Sequence, residues 1–257
     1  MKTSNKLLLI VFLASIFSAI SLMVYAKSQM VVWDGDHEDY YYGEGPVIEK
    51  LIMDEMTLTK MEMGDNFRYT IDPARSDVTI KGDSAFISNL TFITDNEFRI
   101  LTGGVPNNFN WPDNVLVVIG TQNLNTLDLD INGNAKINTN GPLSYEQAKF
   151  SFSGNGRATL DLSVKELEVG LSGNGRLTLN GAAENLRADL SGNSKMSFEN
   201  CQMNDAMMRL SGNSRFYGDI ITNLEGNASG NAKIEFNEVI GKQVISTSGN
   251  GRFTIRN

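Results

Sequence analysis

The sequence predicts an all-β protein whose second half is a β-solenoid, a parallel β-helix-like stack of about seven coils. A turn motif, Ser-Gly-Asn or in its first copy Asn-Gly-Asn, recurs seven times, each time followed by a small residue and then Lys or Arg. Successive copies lie 18 to 21 residues apart. Helical periodicity is weak outside the N-terminus. A short fixed period of this kind indicates a solenoid in which each coil is one structural unit.

The repeated turn is predicted to be structural. Glycine reaches positive φ without a steric penalty, and asparagine tolerates the neighbouring left-handed conformation, so the pair bends the chain sharply. If coils stack ~4.8 Å apart, the asparagines fall into a ladder of amide hydrogen bonds. The predicted turn ladder comprises Gly133, Asn134, Gly154, Asn155, Gly173, Asn174, Gly192, Asn193, Gly212, Asn213, Gly230, Asn231, Gly249 and Asn250.

Apolar columns on both sides of the turn predict two strands per coil. Residues two, four and six positions before the turn glycine are mostly apolar, which is the pattern of a strand with one buried face. A looser return is expected between coils, for example at 180–184 and 199–203. The last coil loses apolar character at Gln243 and Thr247, as expected where a stack ends. The inward column after the turn comprises Ile137, Ala158, Leu177, Met196, Phe216, Ile234 and Phe253.

A basic residue stands two positions after every turn asparagine, and these side chains are expected to point outward as a stripe. One interpretation is a docking track for an anionic polymer, for instance an acidic polysaccharide or lipid head groups. The other is a solubilising edge that discourages strand pairing. Tyr217 is the one clear outward aromatic beside the column. The predicted track comprises Lys136, Arg157, Arg176, Lys195, Arg215, Lys233 and Arg252.

Three further segments, residues 1–26, 27–46 and 47–119, precede the regular coils. Residues 47–119 carry strand patterns without the repeat, and residues 120–257 carry the regular coils. Residues 27–46 form an acidic, tyrosine-rich segment interpreted as a linker. Its acids surround His37, the only histidine. We interpret this cluster as a solvated charge run rather than a metal site, because consecutive ligands lack a framework that sets coordination geometry.

Residues 1–26 are predicted to be an export signal. Leu7 to Tyr25 is a nearly unbroken apolar run preceded by Lys2 and Lys6. Its length fits a membrane-anchoring helix, while Ala26 offers a small-residue cleavage site, so a signal anchor and a cleaved signal peptide both remain open. Either way, the charge bias places the rest of the chain outside the cytoplasm, in the periplasm or at the cell surface.

Charge and cysteine content exclude several classes of protein. Removing Lys2 and Lys6 from the 22 basic residues leaves 20 against 30 acids beyond Ala26, a net charge of −10. Nucleic-acid binding requires a basic footprint and is not expected. Cys201 is the only cysteine, so an internal disulfide is impossible, and we expect a buried thiol. The turns carry Asn and a cation where calcium-binding β-rolls carry Asp, so no metal or other cofactor is expected.

Three segments, together with the repeated turns, carry a resemblance to a known family. They are 67–83 (FRYTIDPARSDVTIKGD), 98–101 (FRIL) and 123–134 (NLNTLDLDINGN). The chain resembles the bacterial head GIN domain family of auto-transporter adhesins, from about Leu51 to the C-terminus. The resemblance implies an exported, solenoid-like all-β domain over 47–257, typical of Bacteroidetes envelopes, and brings no catalytic motif. Unlike a true auto-transporter, the sequence shows no C-terminal translocator segment.

The sequence thus favours a non-enzymatic envelope protein, an adhesin or a polymer-binding structural module. Its expected partners are a cell-surface polysaccharide or another envelope component, and the membrane through the N-terminal segment; homo-oligomerisation stays open. The alternative is a polysaccharide-active lyase or glycosidase. Glycosidases need two carboxylates across a cleft, whereas the coil lengths leave no insertion to wall one and the acids Asp161, Glu168, Asp189 and Glu199 fall in different columns.

Overall fold

The computed structural model describes residues 45–64, 66–105 and 115–256. The predicted export signal, the predicted N-terminal helix and nearly all of the predicted linker lie outside these ranges. Within them, no helix is long and apolar enough to cross a membrane.

Strands make up nearly all of the regular structure. In chain order they are β1 (Val47–Met53), β2 (Lys60–Met63), β3 (Arg68–Asp72), β4 (Val78–Asp83), β5 (Thr91–Ile93), β6 (Phe98–Leu101), β7 (Leu116–Gly120), β8 (Thr126–Gly133), β9 (Lys136–Thr139), β10 (Leu143–Gly154), β11 (Arg157–Leu171), β12 (Arg176–Leu190), β13 (Lys195–Leu210), β14 (Arg215–Ala228), β15 (Lys233–Val239), β16 (Gln243–Thr247) and β17 (Arg252–Ile255). A four-residue helix, α1 (Ser84–Ile87), follows β4.

The predicted solenoid is confirmed. Strands β8 to β17 pair in parallel with the strands of the next coil, in a register that sets each turn directly on the one before it. Strands leaving the turns form one ladder, which includes β3, β9, β15 and β17. Strands entering the turns form a second, which includes β2, β8, β10 and β16.

The prediction of a loose return at 180–184 and at 199–203 is wrong. Segment 180–184 lies within β12, and segment 199–203 lies within β13. Strands β11 to β14 each run from one turn to the next as a single bent strand, whereas the strands break at 140–142 between β9 and β10 and at 240–242 between β15 and β16. The bent strands change direction where two successive residues both face outward. In β11 these residues are Lys165 and Glu166. One of these segments contains a bulge, where the register of β13 against its neighbours shifts near Asn200.

The core is the interior of the stack, filled by the predicted apolar columns. The column after the turn is buried from Ile137 to Ile234 and half-buried at Phe253. Aromatic rings continue the stack from coil to coil, with ring centres 6.1 Å apart for Phe198 and Phe216 and 5.3 Å for Phe216 and Phe236. Gln243 and Thr247 of the last coil are exposed, so the expected loss of apolar character at the end of the stack is confirmed.

The region before the regular repeat adds coils to the same stack. Strands β2 and β3 pair in parallel with β8 and β9, which places Arg68 beside Lys136. Strands β6 and β7 stack on the far side of β2 and β3. Antiparallel strands β1, β4 and β5 then close this end. The coil order in space therefore differs from the chain order, and the antiparallel strands keep the parallel edge from being exposed.

Candidate functional site

The turn glycines have the predicted backbone conformation. Their φ angles run from 65° at Gly249 to 97° at Gly154, a region that side chains with a Cβ rarely adopt. Space is equally restrictive: a Cβ on Gly173 would lie 2.7 Å from the carbonyl oxygen of Gly154 in the preceding coil. Both the conformation and the close stacking of backbones explain the recurrence of glycine.

The turn asparagines form the predicted ladder of side-chain hydrogen bonds. Each Nδ2 donates to the Oδ1 of the asparagine one coil earlier, at 2.8 to 3.1 Å, from Asn250 back to Asn134. Asn134 in turn donates to Asn66 over 3.0 Å, so the ladder extends one coil further than the repeat predicts. Each amide group has two N–H donors, and the ladder uses one of them.

The expected left-handed conformation of these asparagines is wrong. Among the described residues, Asn200 in the β13 bulge is the one non-glycine residue with positive φ. The turn asparagines instead bond to the preceding coil twice. The backbone N–H of Asn193, for example, donates to the Gly173 oxygen over 2.8 Å, while its side chain joins the ladder. Asparagine is therefore required for its amide rather than for its φ.

Beside the ladder runs the basic stripe, which we define as the seven predicted cations together with Arg68. Strand pairing sets them directly opposite one another, in the order Arg68, Lys136, Arg157, Arg176, Lys195, Arg215, Lys233 and Arg252. All are exposed except Lys233, which is half-buried. The structure therefore places the seven predicted residues in one column and adds an eighth.

Most of the basic stripe carries charge that the described residues do not neutralise. Lys233 pairs with Glu235, with 2.7 Å between Nζ and Oε1, and Lys195 lies over the Tyr217 ring, 5.0 Å from its centre. No carboxylate of the described residues lies within 4.0 Å of Lys195 or of the other six cations. Unpaired like charges a few ångströms apart raise the local positive potential.

A shallow groove of about 450 Å³ is lined by residues of both the asparagine ladder and the basic stripe. Its cations are Arg176, Lys195 and Arg215. Its amides include those of Asn193 and Asn213. The groove therefore offers cations and amide N–H donors together, repeated once per coil. Such a surface can hold negatively charged oxygens of an extended ligand.

Glu235 anchors the C-terminal part of this surface. Its side chain is only 5% exposed and its Oε1 contacts both Lys233 and Arg256, at 2.7 and 3.2 Å. Burial alone would raise the pKa of Glu235, but the two cations hold this pKa below its ordinary value. The carboxylate is therefore ionised at neutral pH and holds the side chain of Arg256 in place.

The acids considered for an enzyme do not form a pair across a cleft. Asp161 accepts a hydrogen bond from Asn180, one coil on, over 2.9 Å. Asp189 lies 3.8 Å from the Arg187 guanidinium. Glu168 lies opposite Arg187 in the pairing of β11 with β12, in the strand segments that enter the turns. Within the described part of the chain, no group of three or more His, Cys, Asp or Glu residues could hold a metal ion.

Sequence reasoning missed Asn66, Arg68 and Arg256. Asn66 and Arg68 lie in the segment Gly64-Asp-Asn-Phe-Arg68. This segment keeps the two-residue spacing from asparagine to cation but lacks the Ser-Gly-Asn motif of the other turns. A search for Asn-x-Lys/Arg alone would have found them. Arg256 had no signal, because its contacts to Glu235 and Tyr217 come from earlier coils.

Comparison with known proteins identifies the family and the fold of the chain. A family profile described as "Putative auto-transporter adhesin, head GIN domain" matches residues 59–238. A comparison with curated proteins gives no match.

Solved structures share the fold at low identity. A "putative lipid binding protein" of Parabacteroides distasonis is 13% identical, with a TM-score of 0.62, covering 83% of this chain and 98% of its own. A "putative adhesin" of the same organism is 16% identical, with a TM-score of 0.63, covering 81% of this chain and 97% of its own. A "putative adhesin" of Bacteroides fragilis is 17% identical, with a TM-score of 0.59, covering 81% of this chain and 98% of its own. The profile covers well over half of the chain, and the chain therefore belongs to the head GIN domain family of putative auto-transporter adhesins.

Proposed function

We propose that the protein is a non-enzymatic adhesion module, displayed outside the cytoplasm, that binds a carboxylated surface polysaccharide along the basic stripe. The observation that carries the proposal is the in-register column of eight cations, seven of which lack a carboxylate partner among the described residues. The column is unusual because the chain as a whole carries a net charge of −8.

The spacing of the stripe supports an extended ligand. Cations repeat with the coil spacing of ~4.8 Å, so the column from Arg68 to Arg252 extends for roughly 34 Å. A polymer lying along the stack could place several carboxylates near cations at once, and many weak contacts would add up to useful affinity. A rigid β-scaffold favours such binding, because little order has to be created on association.

The alternative explanation, a solubilising edge, accounts less well for the arrangement. Solubility requires charge but not one sign in one column, and like charges in register cost energy. Elsewhere the same coils interleave acids and cations, as in the column of Lys149, Glu168 and Arg187. That the stripe lacks such alternation supports a role in binding an anion.

Display outside the cytoplasm rests on the sequence of residues 1–26 and on the family. The apolar run from Leu7 to Tyr25 would export the chain, and an uncleaved run would tether it to the membrane. The solenoid would then present its stripe to polymers of the envelope or of a neighbouring cell.

The test is a binding experiment with matched charge variants. We compare a stripe variant, Arg157→Ser/Arg176→Ser/Arg215→Ser, with a control variant, Lys149→Ser/Arg187→Ser/Arg209→Ser. The control removes the same charge from the strand segments that enter the turns, away from the basic stripe. Immobilised polygalacturonate and whole cells serve as targets. We expect the stripe variant to lose retention and adhesion while the control keeps both. Equal behaviour of the two variants, or no retention of wild type on any anionic polymer, would overturn the proposal.

A further inference from the structure

Next to the C-terminal part of the basic stripe lies a pocket of about 560 Å³ on the outer surface of the coils. It is lined by Lys195, Glu199, Tyr217, Asp219, Asn237 and Arg256. These residues belong to different coils, so the pocket exists only in the folded stack. Its volume falls within the range of small-molecule sites.

The two cations of the pocket are held in place, unlike most cations of the stripe. Lys195 Nζ lies 5.0 Å and the Arg256 guanidinium carbon 5.2 Å from the centre of the Tyr217 ring. Arg256 Nε also donates to Oε1 of Glu235 over 3.3 Å, and Nη2 lies 3.2 Å from the same oxygen as an ion pair. Cation–π contacts and an ion pair to a buried carboxylate restrict these side chains before a ligand binds. The loss of side-chain conformational entropy on binding is therefore smaller.

A backbone irregularity lies at the edge of the same pocket. Asn200 lines it and has φ of 53°, and the β13 bulge shifts the register there. Non-glycine residues with positive φ and β-bulges both cluster at functional sites, where a bulge redirects side chains. Here the bulge lies beside Glu199, which lines the pocket.

The remaining polar groups define the ligand. Asn237 donates to Oδ1 of Asp219 over 2.8 Å, which leaves the second carboxylate oxygen of Asp219 able to accept. Glu199 adds a second carboxylate, which is exposed, whereas Asp219 is half-buried. Two carboxylates beside two cations leave no net positive charge to hold a compact dianion such as phosphate. They suit a ligand with one negative charge and several hydroxyl donors.

We infer that this pocket binds a single carboxylated sugar residue, a uronic acid or a similar sugar acid. Arg256 and Lys195 receive the carboxylate, and Glu199 and Asp219 accept hydrogen bonds from the hydroxyls. Glu235 acts as a positioning residue beneath Arg256. Because Lys195 also belongs to the stripe, the inference rests on the proposed function in one respect, namely that the sugar residue is part of the polymer bound along the stripe.

The test measures binding of trigalacturonate to the full chain by calorimetry, with galactotriose and inorganic phosphate as comparison ligands. We expect Arg256→Gln and Tyr217→Leu to weaken trigalacturonate binding about tenfold or more. The control Arg209→Gln removes the same charge from an exposed position outside both the pocket and the basic stripe, and we expect less than a threefold change. Thermal unfolding of each variant checks that the fold is retained, and Lys195→Gln provides a second pocket variant if Tyr217→Leu unfolds.

Three results would overturn the inference: galactotriose binding as tightly as trigalacturonate, phosphate binding more tightly than both, or Arg256→Gln behaving like Arg209→Gln. Failure here is distinguishable from failure of the proposed function. If the polymer needs the stripe but trigalacturonate does not bind, the pocket is wrong and the stripe stands. If trigalacturonate binds but the stripe variant still retains the polymer, the stripe is wrong and the pocket stands.

Discussion

Replacing Gly192 by alanine should destabilise the solenoid strongly, because the residue combines positive φ with close backbone contact. Its φ is 70°, and the left-handed region costs an alanine about 1–2 kcal/mol. The new Cβ would lie 2.6 Å from the Gly173 oxygen. That oxygen accepts the Asn193 N–H over 2.8 Å, and the Gly192 oxygen accepts the Asn213 N–H over 2.7 Å. Weakening these two bonds adds about 1 kcal/mol each, so we expect a loss of about 3 kcal/mol.

A matched control is available in the same protein. Gly170 lies in β11, and a Cβ added there would meet no atom within 4 Å. Gly170→Ala should leave stability unchanged or raise it by up to about 1 kcal/mol, since alanine reduces the freedom of the unfolded chain. Urea unfolding followed by circular dichroism gives both values. If the two variants unfold within about 0.5 kcal/mol of one another, the account of the turn is refuted.

Three further predictions concern the ladder, the buried carboxylate and the thiol. Asn193→Asp removes the donor to Asn174 Oδ1 and should cost about 1 kcal/mol in urea unfolding; an unchanged midpoint would contradict the ladder's role. The lowered pKa of Glu235 means that its stabilising effect is complete above the ordinary glutamate pKa and is lost as pH falls through the folded-state pKa. Glu235→Gln should therefore be less stable than wild type at pH 7, and the difference should shrink in acid; a constant difference down to pH 2 would argue against it. Burial raises the pKa of Cys201 to about 11, so a thiol reagent at pH 8 should label the unfolded protein and spare the folded one, and rapid labelling of folded protein would refute this.

The regular coils could be predicted from sequence because every contact that defines them repeats. Gly173 and Asn174 contact a glycine and an asparagine at the same positions of the neighbouring coil. Aligning the repeats therefore predicts the turn, the asparagine ladder and the buried faces of the strands. Residues about 19 apart in sequence become neighbours in space, as with Asn174 and Asn155. The position of the basic stripe followed from the same logic.

The parts that sequence missed depend on contacts that do not repeat. Asn66 bonds to Asn134, 68 residues away, because the chain visits that coil out of order. The return segment 180–184 looks like a loop, since it contains Gly181, yet its backbone pairs with β11 and takes φ of 120° at the glycine. The pocket beside Tyr217 combines side chains from several coils, and no single repeat contains it.

The central claim is that the turns hold the fold while the basic stripe binds an anionic polymer. The most direct test is the dissociation constant for polygalacturonate, measured from low to high salt for wild type, the stripe variant and its control, all with matched unfolding midpoints. The account predicts that the stripe variant binds about tenfold or more weakly at low salt, a loss of about 1.4 kcal/mol, with a shallower salt dependence. The control should resemble wild type. An equal loss in both variants, or no loss in either, would contradict the claim.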